Sequence, residues 1–201
     1  MMPNQPTFNG IIQEARHTLL ANPLRCLSLL KEAEQFRDTA PNLNRKSLLL
    51  HGTHNIEYLR DYVRLLGLSY YLDFDITVAP FDPNQLHILS DRTLFFDAEP
   101  DLIFFADSWR TLESHYLLGT LPADYVNEYF SAICDIQSKT DATIFIHNFD
   151  LPSWSKLYIR SPTSQPFVNY VRLVNHFIGN YITNSNRVIL LDVNYLSSDI
   201  G

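Results

Sequence analysis

Lys46-Ser-Leu-Leu-Leu-His-Gly-Thr-His-Asn-Ile-Glu-Tyr-Leu59 decides how this chain is read. A strand from Ser47 to Leu50 has the continuous apolar character of a parallel sheet covered on both faces. Gly52 permits a tight turn or a positive φ. Thr53 or Asn55 offers an N-cap to a helix whose Ile56, Leu59, Val63 and Leu66 fall on one face. Such a strand–turn–helix sets backbone N–H groups and the Thr53 hydroxyl at the carboxyl edge of a sheet. Open α/β folds bind their ligands at that edge.

Upstream, residues 1–40 read as a helical hairpin lying before the main domain. Phe8, Ile11, Ile12, Ala15 and Leu19 keep the helical period, and Asn22-Pro23 restarts it as an N-cap followed by proline. Leu24, Leu27, Leu30 and Ala33 or Glu34 continue the pattern. Asp38-Thr-Ala-Pro-Asn-Leu-Asn44 leads into the first strand, so residues 41–201 form the α/β domain.

Downstream, apolar runs and helical periods alternate. Gly67 is a candidate C-cap. The second strand, Leu72 to Ala79, alternates Phe74, Ile76 and Val78 with Asp73, Asp75 and Thr77, which places it at a sheet edge. Asp82 caps a short helix opened by Pro83 and carrying Leu86 and Leu89. Pro100 to Asp107 holds a buried third strand, then a long connection through Ser108-Trp-Arg110 leads to a helix near Pro122. That helix turns Val126, Tyr129 or Phe130, Ile133 and Ile136 inward. The fourth strand is Ala142 to His147, and Ser161 to Pro166 is a loop. A long helix from Pro166 carries Phe167, Tyr170 or Val171, Val174, Phe177 or Ile178, and Tyr181. The fifth strand is Arg187 to Leu191. Alternating strands and helices imply right-handed crossovers and a parallel sheet, and the flavodoxin-like order 2-1-3-4-5 fits by analogy.

Composition bounds the function. The chain has 201 residues, 46% hydrophobic and 18% charged, with net charge −7. That balance suits one globular domain and disfavours a general nucleic-acid or anionic-membrane binder. No apolar run is long enough to span a bilayer, and Met1 to Gly10 is not a signal peptide, so a cytoplasmic location is expected. Cys26 and Cys134 fall in helices as two buried thiols, matching neither a metal motif nor a disulfide framework. No zinc signature, Walker A loop or GxGxxG occurs.

The strand ends gather polar residues on one rim: His51, Gly52, Thr53, His54 and Asn55; Asp82 and Asn84; Asp107, Ser108 and Arg110; His147, Asn148 and Asp150; Asp192 and Asn194. Thr53 is a candidate nucleophile or a helix cap. His51 is a core histidine or a catalytic one. Asn148 is an oxyanion donor or a loop clamp. Trp109 and Trp154 line a pocket or pack loops. His17, His87, His115 and His176 show no evident metal spacing. If the first turn binds, the Gly52–Asn55 backbone and the Asn148 amide face one shared pocket; otherwise Thr53 caps its helix and Asn148 its own loop.

Four segments resemble the N-terminal, SGNH-hydrolase-like domain of FkbH-like proteins. They are Leu48-Leu-Leu-His-Gly-Thr-His-Asn-Ile-Glu-Tyr-Leu59, Ala79-Pro-Phe-Asp-Pro-Asn-Gln-Leu86 with Pro100-Asp-Leu-Ile-Phe104, Ile146-His-Asn-Phe-Asp-Leu-Pro152, and Val188-Ile-Leu-Leu-Asp-Val193 with Ile200-Gly201. The resemblance implies an SGNH-type three-layer α/β sandwich. It also implies a downstream haloacid-dehalogenase-like domain that uses Mg2+ and loads a glyceryl-derived three-carbon unit onto an acyl carrier protein, as in polyketide-type biosynthesis. The resemblance places the Asp-x-Asp nucleophile motif in that downstream domain, and Asp73-Phe-Asp75, which lies within the second strand, is not read as that motif, so no cofactor or metal is expected here.

The SGNH nucleophile is a Ser after Gly-Asp, where this chain has Thr53 and His54. The family's Asp-x-x-His becomes Asp192 followed by Val193, Asn194 and Tyr195. Thr53 and Asp192 are thus the catalytic positions of a degenerate site, with Gly52, His54, Asn55, Asn84, Asp107, His147 and Asn148 as ligand-binding candidates. The resemblance points to a docking or ligand-binding domain with acyl carrier protein and the downstream domain as partners. The alternatives are an esterase or acyltransferase with Thr53 as nucleophile, and a structural, homodimer-forming domain.

Overall fold

The structure, a computed structural model, describes residues 7–18, 23–40, 43–151, 165–183 and 185–193. In chain order the elements are α1 (Phe8–Thr18), α2 (Pro23–Glu34), β1 (Asn44–Gly52), α3 (Glu57–Ser69), β2 (Leu72–Val78), α4 (Leu86–Leu89) and α5 (Thr93–Asp97). They continue as β3 (Leu102–Ala106), α6 (Trp109–Leu117), α7 (Pro122–Lys139), β4 (Thr143–His147), α8 (Gln165–Ile182) and β5 (Val188–Leu191). The fold is an α/β three-layer type with a five-stranded, all-parallel sheet in the order β2-β1-β3-β4-β5. The five expected strands, their parallel sense and their order are all found, with β2 at an edge. Ile103 pairs with Ile144 and Phe105 with Ile146, and Ile144 pairs in turn with Val188.

The chain makes two compact units, one from Met1–Leu48 and Ile56–Val78, the other from Leu49–Asn55 and Ala79–Gly201. In the first, α1 and α2 pack with α3 around Phe8, Ile11, Ile12, Ala15, Leu29, Leu30, Ala33, Leu65 and Leu68. Arg16 donates to the Ser69 carbonyl from Nε at 2.7 Å and also from Nη2, closing the end of α3. Arg25 of α2 reaches Glu14 of α1 at 2.6 Å and is also paired with Glu32 of its own helix at 2.9 Å. The buried stripe of α3 runs through Leu65 and Leu68, whereas Leu66, expected inside, is 45% exposed.

Gly67 does not end α3, which continues to Ser69. It is required for contact: a Cβ there would meet the Phe74 ring at 2.5 Å and the Leu72 carbonyl oxygen at 2.9 Å. The chain instead turns at Tyr71, with φ 62°. Gly67→Ala is expected to destabilise by about 1–2 kcal/mol. Overpacking of roughly 1–3 kcal/mol outweighs the helix-propensity gain of about 1 kcal/mol. Urea unfolding checks this; a stabilised variant would contradict the contact.

The second unit holds the larger core. Leu49, Ile103, Phe105, Ile144 and Ile146 of the sheet pack with Val126, Phe130, Ile133 and Ile136 of α7, and with Phe167, Val171, Val174 and Ile178 of α8. The apolar faces expected for α7 and α8 are therefore present, except that Tyr181 is 39% exposed. The connection after β3 is not a plain loop, because Ser108 N-caps α6 within it. Cys134 is exposed rather than buried. Leu19, Asn22, Trp154, Asn194, Ile200 and Gly201, and the side chains of Leu24 and Cys26, lie outside the described residues. Among the described residues no helix is long and apolar enough to cross a membrane.

Candidate functional site

β1 delivers Gly52, Thr53, His54 and Asn55 to the carboxyl edge of the sheet. Thr53 is buried, and its hydroxyl oxygen accepts the Ser108 N–H at 2.9 Å. Ser108 in turn accepts the Arg110 N–H with its own side chain at 3.4 Å. Thr53 therefore ties the end of β1 to the start of α6. Neither it nor Asn55 caps α3, whose N-cap position is Ile56, without a side-chain bond. The chain travels far enough past Thr53 to bury Ile56 before the helix begins.

Asp107, just before Ser108, is 4% exposed. Its Oδ2 accepts the Tyr129 hydroxyl proton at 2.8 Å, and Oδ1 is buried without a hydrogen bond. Burial, and next the Asp107 charge, push the Tyr129 phenol well above its ordinary value, so it remains a donor. Burial pushes His54 below the ordinary imidazole value, opposed by the Asp107 carboxylate.

A cleft of about 410 Å³ opens beside this tie. The β1 turn contributes Thr53, His54 and Asn55; the segment after β2 contributes Phe81, Pro83 and Asn84; α6 contributes Arg110, Thr111 and Ser114. Arg110 is exposed and its guanidinium lies 5.5 Å from the Trp109 ring. A guanidinium fork among amides and hydroxyls suits a small polar ligand bearing a carboxylate or phosphate. Thr111 and Ser114 carry no signal in the sequence, since α6 buries only Thr111 and Leu112 and so shows no helical period.

The segment after β2 is held from behind. Gln85 is fully buried at φ 55°, and its amide nitrogen donates to the Tyr125 hydroxyl at 3.3 Å. Asp82 accepts the His87 N–H at 2.6 Å, as a cap to α4, which begins at Leu86 rather than Pro83. The Asp82 Oδ2 also lies 3.5 Å from His51 Nε2 and 3.6 Å from His87 Nδ1. His51 is fully buried, and neither ring nitrogen has a hydrogen bond. Burial lowers its pKa, against the raising effects of Asp107 and Asp82. No sequence spacing exposes this trio, because His51 is far along the chain from Asp82 and His87.

Asn148 lies apart from the cleft lining. Its Nδ2 donates to Asp192 Oδ1 at 2.6 Å, and its Oδ1 accepts the Val193 N–H at 2.8 Å. Both halves of the amide therefore join the ends of β4 and β5. His147 Nδ1 sits 2.8 Å from the Asn148 carbonyl oxygen. Asn175 of α8 clamps Phe149, accepting its N–H and donating to its carbonyl, each at 2.8 Å. The candidates thus divide. Thr53, His54, Asn55 and Asn84 line one cleft, Asp107 stands behind it, Asn148 and Asp192 bond each other apart from that lining, and the His147 charge acts on His54.

A solved structure shares this architecture. It is the N-terminal part of the protein BF1531 from Bacteroides fragilis, containing a phosphatase domain and complexed with Mg. The TM-score is 0.63 at 13% identity, over 94% of this chain and 47% of that chain. The likeness is one of fold. This chain spans about half the length of that relative. No protein-family profile and no curated protein sequence matches the chain.

Proposed function

We propose that this chain is the non-catalytic, ligand-holding domain of an FkbH-like glyceryl-loading protein. It docks acyl carrier protein at the Thr53–Arg110 cleft, while a haloacid-dehalogenase-like domain performs the Mg2+-dependent chemistry. One observation carries the reading: the fold match covers 94% of this chain but only 47% of a chain described as containing a phosphatase domain. That ratio is what a partner domain beside a phosphatase would give.

Two features support binding over hydrolysis. Among the described residues the Thr53 hydroxyl is bonded to the Ser108 backbone N–H, not to a histidine or carboxylate. A hydroxyl without a base is a weak nucleophile. Asp192, the other degenerate position, accepts from Asn148 instead. Arg110 gives the cleft a cation for an acidic carrier surface or its phosphate-bearing arm.

Calorimetric titration with holo-acyl carrier protein tests this. Saturable binding is expected, weakened roughly tenfold by Arg110→Ala, about 1.4 kcal/mol. Hydrolysis of short aryl esters is expected to stay at background. No binding by any carrier tested, or ester turnover abolished by Thr53→Ala with the fold intact, would overturn the reading.

A further inference from the structure

We propose that His51, Asp82 and His87 form a binding site for one divalent late first-row metal ion, Zn2+ fitting best. Their donor atoms all lie within 4.8 Å of one another. Two of the three separations are 3.5 and 3.6 Å, both to Asp82 Oδ2. Donors placed tetrahedrally around Zn2+ at roughly 2.0–2.1 Å stand about 3.4 Å apart. The trio needs little more than closure of the His51–His87 separation.

The unmet polar atoms point the same way. His51 is 0% exposed with both ring nitrogens lacking a hydrogen bond, and His87 Nδ1 is likewise buried and unbonded. Buried side-chain polar atoms nearly always find a partner, and an ion is one of the partners that explains an exception. Apart from His87, the rings packed against His51 are apolar: Phe95 stands at 5.4 Å and Phe105 at 5.5 Å between ring centroids. A dry aromatic wall of this kind favours a charged or dipolar ligand set that closes on itself around a cation.

Donor chemistry selects the ion. Two imidazoles and one carboxylate suit Zn2+, Co2+ or Fe2+ and leave a fourth position for water. Mg2+ and Ca2+ prefer all-oxygen sets, so this site is distinct in kind from a phosphatase Mg2+ site. His87 is the movable member: its side chain is 30% exposed and it sits on a four-residue helix. It supplies both the entry from solvent and the adjustment the geometry needs. Asp82 lies between Phe81 and Pro83, which line the cleft, so the ion would pin that wall to the end of β1.

The test uses the full chain, free of affinity tag and stripped with chelator. Zn2+ titration is expected to give one ion per chain and a raised Tm, and Co2+ to give the visible absorption of a low-symmetry four-coordinate ion. His87→Ala is expected to weaken Zn2+ binding by at least about 100-fold, the upper end of what loss of even a supporting residue costs. It should also abolish the Co2+ band while leaving circular dichroism unchanged. Asp82→Asn gives an independent second loss, and His17→Ala, at an exposed position of α1, leaves binding intact. A stripped, folded chain that takes up no stoichiometric Zn2+ overturns the proposal. So does Zn2+ affinity unchanged in His87→Ala, or lost equally in His17→Ala.

Discussion

Arg37→Met is expected to lower stability by about 2–3 kcal/mol. Asp73 on β2 is fully buried, and its Oδ2 accepts from Arg37 Nε at 2.7 Å, while Oδ1 has no hydrogen bond. The Asp73 hydrogen bond is also the main reason the Arg37 guanidinium pKa is raised. Without Arg37 the nearest cation is Arg45, whose Nε stands 3.5 Å from the same oxygen but whose side chain is 64% exposed. Solvent screens such a partner, so it offsets little of the loss. The double variant Arg37→Met with Asp73→Leu should recover most of the stability, since a buried ion pair and a well-packed apolar pair are close in free energy. Urea unfolding followed by circular dichroism measures both. A loss under about 0.5 kcal/mol in the single variant would place it with ordinary surface pairs.

Tyr129→Phe is expected to cost about 3 kcal/mol, because it removes the partner of Asp107 Oδ2 while Oδ1 already has none. Both residues are buried, so water cannot step in without opening the core. The functional consequence is larger than the methyl-sized change suggests. Asp107 fixes the backbone that presents the Ser108 N–H to Thr53, and the same backbone begins α6, which carries Arg110, Thr111 and Ser114 into the cleft. Tyr129→Phe should therefore weaken ligand binding as well as lower Tm. Asp107→Asn together with Tyr129→Phe should cost less than the two single changes summed, because they disrupt one interaction. Strict additivity in that cycle would show the two side chains to be independent.

The sheet was legible because each of its strands is a short apolar run between helical periods, and Leu49, Ile103, Ile144 and Val188 all proved to be core. Edge placement of β2 followed from its alternation, yet that alternation misjudged Asp73. An aspartate at an outward position was read as wet, whereas Arg37, from a segment far along the chain, holds it inside. The same limit applies at the site. The polar rim could be named, because strand ends in a parallel sheet share one edge, but not how its members divide. Asn148 has the chemistry of a ligand donor; only the fold shows its amide already engaged by Asp192 and Val193. α6 was missed because its buried side chains are Thr111 and Leu112, too few to display a helical period. Gly67 resembled a helix stop, since a glycine needed for close approach and one needed for a turn look alike in sequence.

The position of Trp109 gives the cleft an optical property of its own. The indole is half-buried, 6.2 Å from the Phe167 ring, with the Arg110 guanidinium 5.5 Å from its own. Indole emission responds to the polarity and charge around the ring, and Arg110 is the residue an anion would draw away. The chain has two tryptophans, so Trp154→Phe leaves Trp109 as its sole indole emitter. Occupancy of the cleft then becomes a change in fluorescence, readable without a label and at concentrations far below those calorimetry needs.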